Sequence, residues 1–176
     1  PGASKLFEME MKTLVLSYAD IYGSKICAAL DRQHPRDLFD IKLLFDKGGI
    51  TDDIKNAFIV YLISHPRPIN EILNPNEIDI SKIYKSEFEG MTINPVGLKE
   101  LEKIRSRLIS IINEALTDND KKFLISFKSG VLDWDLFPLK DVQDFPAVKW
   151  KLINIKKMAK SKHNESLEKL QRHLKL

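Results

Sequence analysis

The longest apolar pattern in the chain is typical of an amphipathic helix. Its members recur at spacings of three and four residues, and they are Leu98, Leu101, Ile104, Leu108, Ile112 and Ala115. Because an α-helix makes one turn in about 3.6 residues, this spacing places all six side chains on one face. A helix of this kind is stable only when other elements cover that face, so the rest of the chain must supply them.

Helix start and stop signals provide those elements. Ser17 with Asp20, and Thr117 with Asp120, have the form of capping boxes. Pro35 suits a first helical position. The predicted helices are 18–31, 35–46, 51–64, 80–88, 98–115, 117–128, 148–160 and 165–174, with residues 66–95 otherwise irregular. The segment 11–17 alternates loosely and favours one short N-terminal β-strand. We therefore predict a mainly α-helical bundle with that single strand at its edge.

Composition divides the chain into three parts. Residues 1–17 are expected to be a remnant strand and linker, 18–130 a helical domain, and 131–176 a linker followed by basic helices. The formal net charge is +3, yet the segment from Phe145 to Leu176 holds nine basic and two acidic residues. This segment could bind a polyanion such as RNA, or it could be a solvated amphipathic tail. Both alternatives stay open.

Other features exclude whole classes of protein. No apolar run approaches the roughly 18–20 residues of a membrane span, and the N-terminus lacks a signal-peptide pattern. We therefore expect a cytoplasmic protein without a membrane partner. The single cysteine, Cys27, excludes an internal disulfide, and its apolar neighbours indicate a small buried filler.

A charged helix–corner–helix runs from Lys25 to Asp40. Lys25 and Arg32 lie seven positions apart, on one stripe of the first helix. Lysine offers a compact charge suited to phosphate, and an arginine such as Arg32 or Arg36 can bind phosphate through two N–H groups. Asp37 and Asp40 could orient the arginines, hold a metal ion or accept a proton. These residue types are compatible with phosphoryl or nucleotidyl transfer.

A structural interpretation of the same residues is also available. Arg36 and Asp40 are four positions apart on the second helix and can pair with each other. Asp37 lies in the first turn of that helix, where the helix dipole stabilises a carboxylate. The corner could thus be an internal ion-pair network in a plain scaffold.

The stretch from Tyr22 to Asp40 reads YGSKICAALDRQHPRDLFD. It resembles the K…ALxxR…RDxxD signature of the AbiEii/AbiGii/MenT nucleotidyltransferase toxins, the toxin halves of type IV toxin–antitoxin and abortive-infection systems. Two further segments, SHPRPI at 64–69 and EFEGMT at 87–92, are similar to features of one subgroup of that family. The resemblance covers most of the chain.

The resemblance implies a polymerase-β-like nucleotidyltransferase, with a palm sheet and a helical C-terminal region. Such an enzyme binds NTP with Mg²⁺, transfers nucleotides to RNA such as the acceptor end of tRNA, and has a cognate antitoxin. Lys25 and Asp37 are then the predicted catalytic residues. Lys25, Arg32 and Arg36 would bind the nucleotide, and Asp40 would support them.

One departure from the family pattern limits these expectations. The family has a Gly-Ser pair and two metal-binding aspartates upstream of its lysine motif, and the 24 residues before Lys25 lack them. We therefore predict no metal ligand in this chain. We expect it to be the helical C-terminal part of such a toxin, inactive alone, with Mg²⁺ and NTP bound by the complete enzyme. The alternative is a non-catalytic helical domain that binds RNA or an antitoxin.

Overall fold

The computed structural model describes residues 13–175, and over that range the chain is a mainly α-helical bundle, as predicted. Its nine α-helices are α1 (Tyr18–Arg32), α2 (Pro35–Asp46), α3 (Asp52–Ser64), α4 (Ile69–Leu73), α5 (Ser81–Glu87), α6 (Leu98–Ala115), α7 (Asp118–Ser129), α8 (Pro146–Lys157) and α9 (Lys160–Leu174). Two short 3₁₀ turns, Trp134–Leu136 and Val142–Asp144, lie between α7 and α8. None of the helices in the described range is long and apolar enough to cross a membrane.

The predicted starts of the helices are accurate to one residue where the sequence carries a cap, and the bounds of the uncapped α6 are also as predicted. The Ser17 hydroxyl accepts the Asp20 backbone N–H, and Thr117 with Asp120 forms a complete capping box. Helix α9 instead begins at Lys160, five residues before the predicted Glu165, and its first turn has no side-chain cap. The five-residue helix α4 was also missed, within a segment that was predicted to be irregular.

The predicted N-terminal strand is wrong over the part of it that can be checked. Thr13 to Ser17 are exposed and form no strand. The described residues offer no neighbouring strand with which this segment could pair, and an isolated strand leaves its backbone groups unsatisfied. The first two residues of the predicted strand lie outside the described range.

Helices α1 and α3 pack unusually closely at Gly23. A Cβ atom at this position would lie 2.7 Å from the backbone nitrogen of Phe58 and 2.8 Å from the Cβ of Ala57. Both distances are far shorter than a normal carbon contact. Glycine at position 23 therefore allows the two backbones to approach, which buries Ile26 and Ile59 completely between them.

Gln33 forms the corner between α1 and α2. Its backbone is left-handed, with φ of 53°, and its N–H donates to the carbonyl of Ala29 at the end of α1. The side chain is only 3% exposed. Its amide nitrogen donates to the Asn76 carbonyl at 2.8 Å, and its amide oxygen accepts the Ile78 N–H at 3.1 Å.

The same amide oxygen accepts a hydrogen bond from Arg105 of α6, at 3.1 Å. Arg105 is 5% exposed and also donates to the Ile78 carbonyl at 2.8 Å and to Glu77 at 2.9 Å. Because these bonds converge on Gln33, one buried amide joins the helical corner to the loop before α5 and to the long helix α6.

Polar and aromatic contacts hold the C-terminal part of the chain together and join it to the rest of the bundle. Lys55 of α3 pairs with Asp120 of α7 at 3.0 Å, with both side chains buried. The ring of Phe123 stacks on that of Phe137, with the centroids 4.6 Å apart. His173 of α9 contacts the Asn113 side chain of α6 at 2.7 Å. The division of the chain at residues 17 and 130 stays a prediction.

Replacing Gly23 with alanine should destabilise the fold. The added methyl group must push α1 away from α3, and overpacking of this kind costs about 1–3 kcal/mol. Chemical denaturation with the helical circular dichroism signal as readout measures the change in free energy of unfolding.

Gly97→Ala is the matched control, because a Cβ there meets no atom within 4 Å. We expect it to cost less than about 1 kcal/mol. Equal effects of the two substitutions would contradict the close α1–α3 approach.

Gln33→Ala should lower the free energy of unfolding by about 2–4 kcal/mol, since it removes one partner of the buried Arg105 and the two hydrogen bonds to the backbone of Asn76 and Ile78. Thermal and urea unfolding measure this loss. Gln143→Ala, at an exposed position, should be close to neutral. A small effect at Gln33 would show that the corner does not depend on its amide.

Candidate functional site

Lys25 and Asp40 meet across the two helices of the corner. The Lys25 ammonium donates to the Asp40 carboxylate, and the two side chains are 37% and 32% exposed. Sequence analysis had placed Asp40 in a supporting role, and the structure brings it directly against Lys25. The pair is accessible from solvent, so the amine can exchange its carboxylate partner for another anion.

Arg32 and Asp37 form a second pair, nearer the turn of the corner. Arg32 Nη2 lies 2.9 Å from Asp37 Oδ1, with side-chain exposures of 63% and 13%. The other oxygen of Asp37, Oδ2, is buried and accepts no hydrogen bond within the described part of the chain. Buried carboxylate oxygens are normally hydrogen-bonded, so this atom is an unused acceptor that solvent does not reach.

We call these two ion pairs, Lys25–Asp40 and Arg32–Asp37, the corner ladder. Both cations come from one stripe of α1, about 10 Å apart along the helix axis, and both carboxylates come from α2. The ladder is neutral overall. Pairs this exposed each contribute only about 0–1 kcal/mol to stability, so they can open at low cost.

Arg36 does not join the ladder, and the predicted Arg36–Asp40 pair is wrong. The guanidinium of Arg36 donates instead to the Glu87 carbonyl through Nε at 3.2 Å and Nη2 at 3.1 Å. Asp40 is already bound to Lys25, while the end of α5 offers Arg36 a free carbonyl oxygen. Arg36 therefore fixes α5 against the corner.

The segment at 87–92 contacts the corner. His34 caps α2, where its Nδ1 accepts the Arg36 backbone N–H at 3.2 Å. Its Nε2 faces a carboxylate oxygen of Glu87 at 3.2 Å. The rings of Phe88 and Phe39 pack with their centroids 5.6 Å apart. The function of His34 is therefore local and structural.

The segment at 64–69 also contacts the corner, near the end of α1. Arg67 Nη1 binds Asp31 Oδ1 at 2.7 Å, and this hydrogen bond raises the pKa of Arg67. His65 lies 3.5 Å from the second oxygen of Asp31, yet burial lowers the pKa of His65 more than the carboxylate raises it. Both downstream segments that resemble the family thus lie against the corner.

Tyr22 lies one turn before Lys25 on α1. Burial raises the pKa of Tyr22, and the nearby Tyr18 ring and the Asp40 charge raise it further. Its phenol therefore keeps its proton at neutral pH and remains a hydrogen-bond donor close to the ladder.

Cys27 points into the core, where burial raises the pKa of its thiol to about 12. The prediction of a buried filler at Cys27 is confirmed.

Residues 13–175 do not by themselves fit a magnesium site. No group of three or more His, Cys, Asp or Glu side chains in that range is placed to hold a metal ion. Asp37 and Asp40 each face a cation from α1.

Sequence analysis missed three residues on which the site depends. Gln33 sits between two charged residues, and its only signal is its place between the end of α1 and the proline that starts α2. Glu87 acts mainly through its backbone carbonyl, which no sequence pattern reveals. Asp31 was seen as a member of the charged cluster but not as the partner of Arg67.

Comparison with known proteins identifies one family. A family model described as "Nucleotidyl transferase AbiEii toxin, Type IV TA system" matches residues 4–154, which include the entire corner ladder. No curated protein and no solved structure matches the chain. The family match covers most of the 176 residues. The chain therefore belongs to the AbiEii nucleotidyltransferase toxin family of type IV toxin–antitoxin systems.

Proposed function

We propose that this chain forms one wall of an NTP site, with Lys25 as the main phosphate ligand. The observation that carries this proposal is the exposed stripe of Lys25 and Arg32 on α1, where each cation is held by a carboxylate of α2. The carboxylates keep the cations extended and oriented before a ligand arrives, which reduces the entropy lost on binding.

Lys25 acts by exchange of partners in this proposal. A phosphate oxygen takes the place of the Asp40 carboxylate on the ammonium, and the ammonium neutralises charge on the phosphate chain. Because the Lys25–Asp40 pair is partly exposed, its opening costs little. Asp40 then remains beside the amine as a support that limits its motion.

Arg32 and Asp37 act together. Asp37 Oδ1 orients the guanidinium of Arg32, whose other N–H groups have no partner within residues 13–175 and can bind phosphate. The second oxygen of Asp37 is buried, so Oδ1, which can accept a second hydrogen bond, is the atom that would receive a proton from an attacking hydroxyl. A role for Arg36 in nucleotide binding stays a prediction, and it requires the guanidinium to leave the Glu87 carbonyl.

The proposed reaction transfers a nucleotide to RNA, with the acceptor end of tRNA as the expected target. A terminal ribose hydroxyl forms a bond to the α-phosphorus of the NTP, the bond to the β-phosphate oxygen breaks, and pyrophosphate leaves. The hydroxyl proton passes to a base, for which Asp37 is the proposed group. The basic segment from Phe145 supports contact with RNA.

The same proposal includes a cognate antitoxin and a divalent cation as partners. Membership of a toxin–antitoxin family supports a cognate antitoxin and a divalent cation for the complete reaction. The described residues supply no cluster of ligands for that cation. The cytoplasm, where NTP and RNA are both present, is the proposed location.

A non-catalytic helical domain that binds RNA or the antitoxin is the second candidate. The neutrality of the corner ladder favours it, since each cation already has a counter-ion. Incubation with labelled NTP, Mg²⁺ and RNA separates the two functions. NTP binding at the corner supports the first candidate whether or not this chain alone transfers nucleotide. RNA or antitoxin binding without any NTP binding supports the second.

Lys25→Ala should weaken NTP binding at least tenfold, or about 1.4 kcal/mol, because it removes the main phosphate ligand. The free energy of unfolding should change by less than about 1 kcal/mol, since the lost ion pair is partly exposed. Isothermal titration calorimetry and urea unfolding measure the two effects on the same preparation.

Lys42→Ala is the matched control. Lys42 also lies on the corner helices and pairs with Asp46 at 2.8 Å, but it lies outside the ladder. It should leave NTP affinity unchanged. If Lys25→Ala instead unfolds the protein, or leaves NTP binding intact, the corner is a structural ion-pair network.

A further inference from the structure

A cavity lies away from the corner ladder, between α4, α7, α8 and α9. Its volume is about 560 Å³, which is within the range of about 300–1,000 Å³ typical of small-molecule sites. Apolar side chains form much of its wall, among them Pro68, Ile155 and Met158. Trp150 lies at its edge and is 56% exposed.

Lys128 lines this cavity and is only 7% exposed. Its ammonium donates to the thioether sulfur of Met158 at 3.6 Å, a weak acceptor. No carboxylate oxygen in the described range lies within 4.0 Å of it. Burial accordingly lowers the pKa of Lys128. A buried amine without a counter-ion is costly unless something else compensates its charge.

Lys151 lies beside Lys128 and does not compensate it. Lys151 is 8% exposed, and its ammonium donates to the carbonyls of His65, Pro66 and Arg67 at the end of α3. These three bonds use all three of its protons. Burial and the charge of Lys128 together lower the pKa of Lys151 to about 8. Two positive groups are therefore held close together at one wall of the cavity.

The acidic residues of the cavity have partners of their own. Glu71 pairs with Arg67 at 3.4 Å, and Glu165 pairs with Lys169 at 2.7 Å. Both glutamates are exposed where they line the cavity. Glu71 is near enough to Lys151 to raise its pKa, but less than burial lowers it. Lys162 adds a further positive charge at the rim. The interior of the cavity is therefore positive, with an apolar wall and an aromatic edge.

We propose that this cavity binds a small organic anion made of a flat ring and a phosphate, of which a nucleoside monophosphate is the simplest example. The phosphate lies against Lys128 and Lys162, where it supplies the missing counter-charge. The ring packs on Trp150, and the side-chain amides of Asn70 and Asn154 face its polar edge. This site is independent of the role proposed for Lys25.

Calorimetric titration of the chain with AMP, adenosine and inorganic phosphate tests the proposal. AMP should bind at least about tenfold more tightly than either fragment, because each fragment makes only part of the contact. Lys128→Met should weaken AMP binding by about tenfold or more. The same variant should melt at the same or a higher temperature, since methionine fills the site without a buried charge.

Lys122→Met is the matched control, an exposed lysine on the same helix that does not line the cavity. It should change AMP affinity by less than about twofold. Trp150→Ala, at an exposed position, should weaken AMP binding by about fivefold or more. This variant keeps the proposal testable if Lys128→Met does not fold.

A short single-stranded RNA provides a second arm of the experiment. If this RNA binds more tightly than AMP, and Lys128→Met weakens its binding as much, the natural ligand is the end of an RNA strand. Binding of AMP alone identifies the free nucleotide. Failure of AMP and RNA to bind, or binding that is unchanged in Lys128→Met, overturns the proposal. Lys25→Ala should leave this binding intact, which separates it from the corner ladder.

Discussion

The buried amide of Gln33 fixes the geometry on which the rest of the site depends. Helix α1 ends one residue before it and α2 begins two residues after it, so its left-handed backbone sets the angle between the two helices. Its side chain bonds to the loop at 76–78 and to Arg105 of α6. A corner held at three points cannot rotate freely, and the ladder pairs of α1 and α2 form because of that restriction.

Two regions of the molecule use positive charge in opposite ways. In the corner ladder the cations are exposed and each has a carboxylate partner, which keeps the pairs easy to exchange. In the cavity between α4, α7, α8 and α9, the amines of Lys128 and Lys151 are buried and have no carboxylate partner in the described range. The first arrangement suits a charged ligand that binds and leaves, and the second suits an anion that would supply the missing counter-charge of Lys128.

Sequence reasoning was accurate where the physics is local. The N-caps Ser17 and Thr117 and the first-turn Pro35 act on residues within one turn, so they predicted the helix starts correctly. The contacts of Gln33 lie 43, 45 and 72 positions away along the chain, and no short pattern encodes them. The partner of Arg36 also could not be predicted from a short pattern. Its neighbour Asp40 on α2 pairs instead with Lys25 of α1.

Nuclear magnetic resonance tests the central claim, that the corner ladder is a ligand site, most directly. The four common ribonucleoside triphosphates are titrated in turn, with Mg²⁺, into isotope-labelled chain while the backbone and lysine side-chain signals are followed. The account predicts that the largest shifts fall on Lys25, Arg32 and the first turn of α2 around Asp37. Shifts confined to other helices, or no shifts with any of the four, would contradict it.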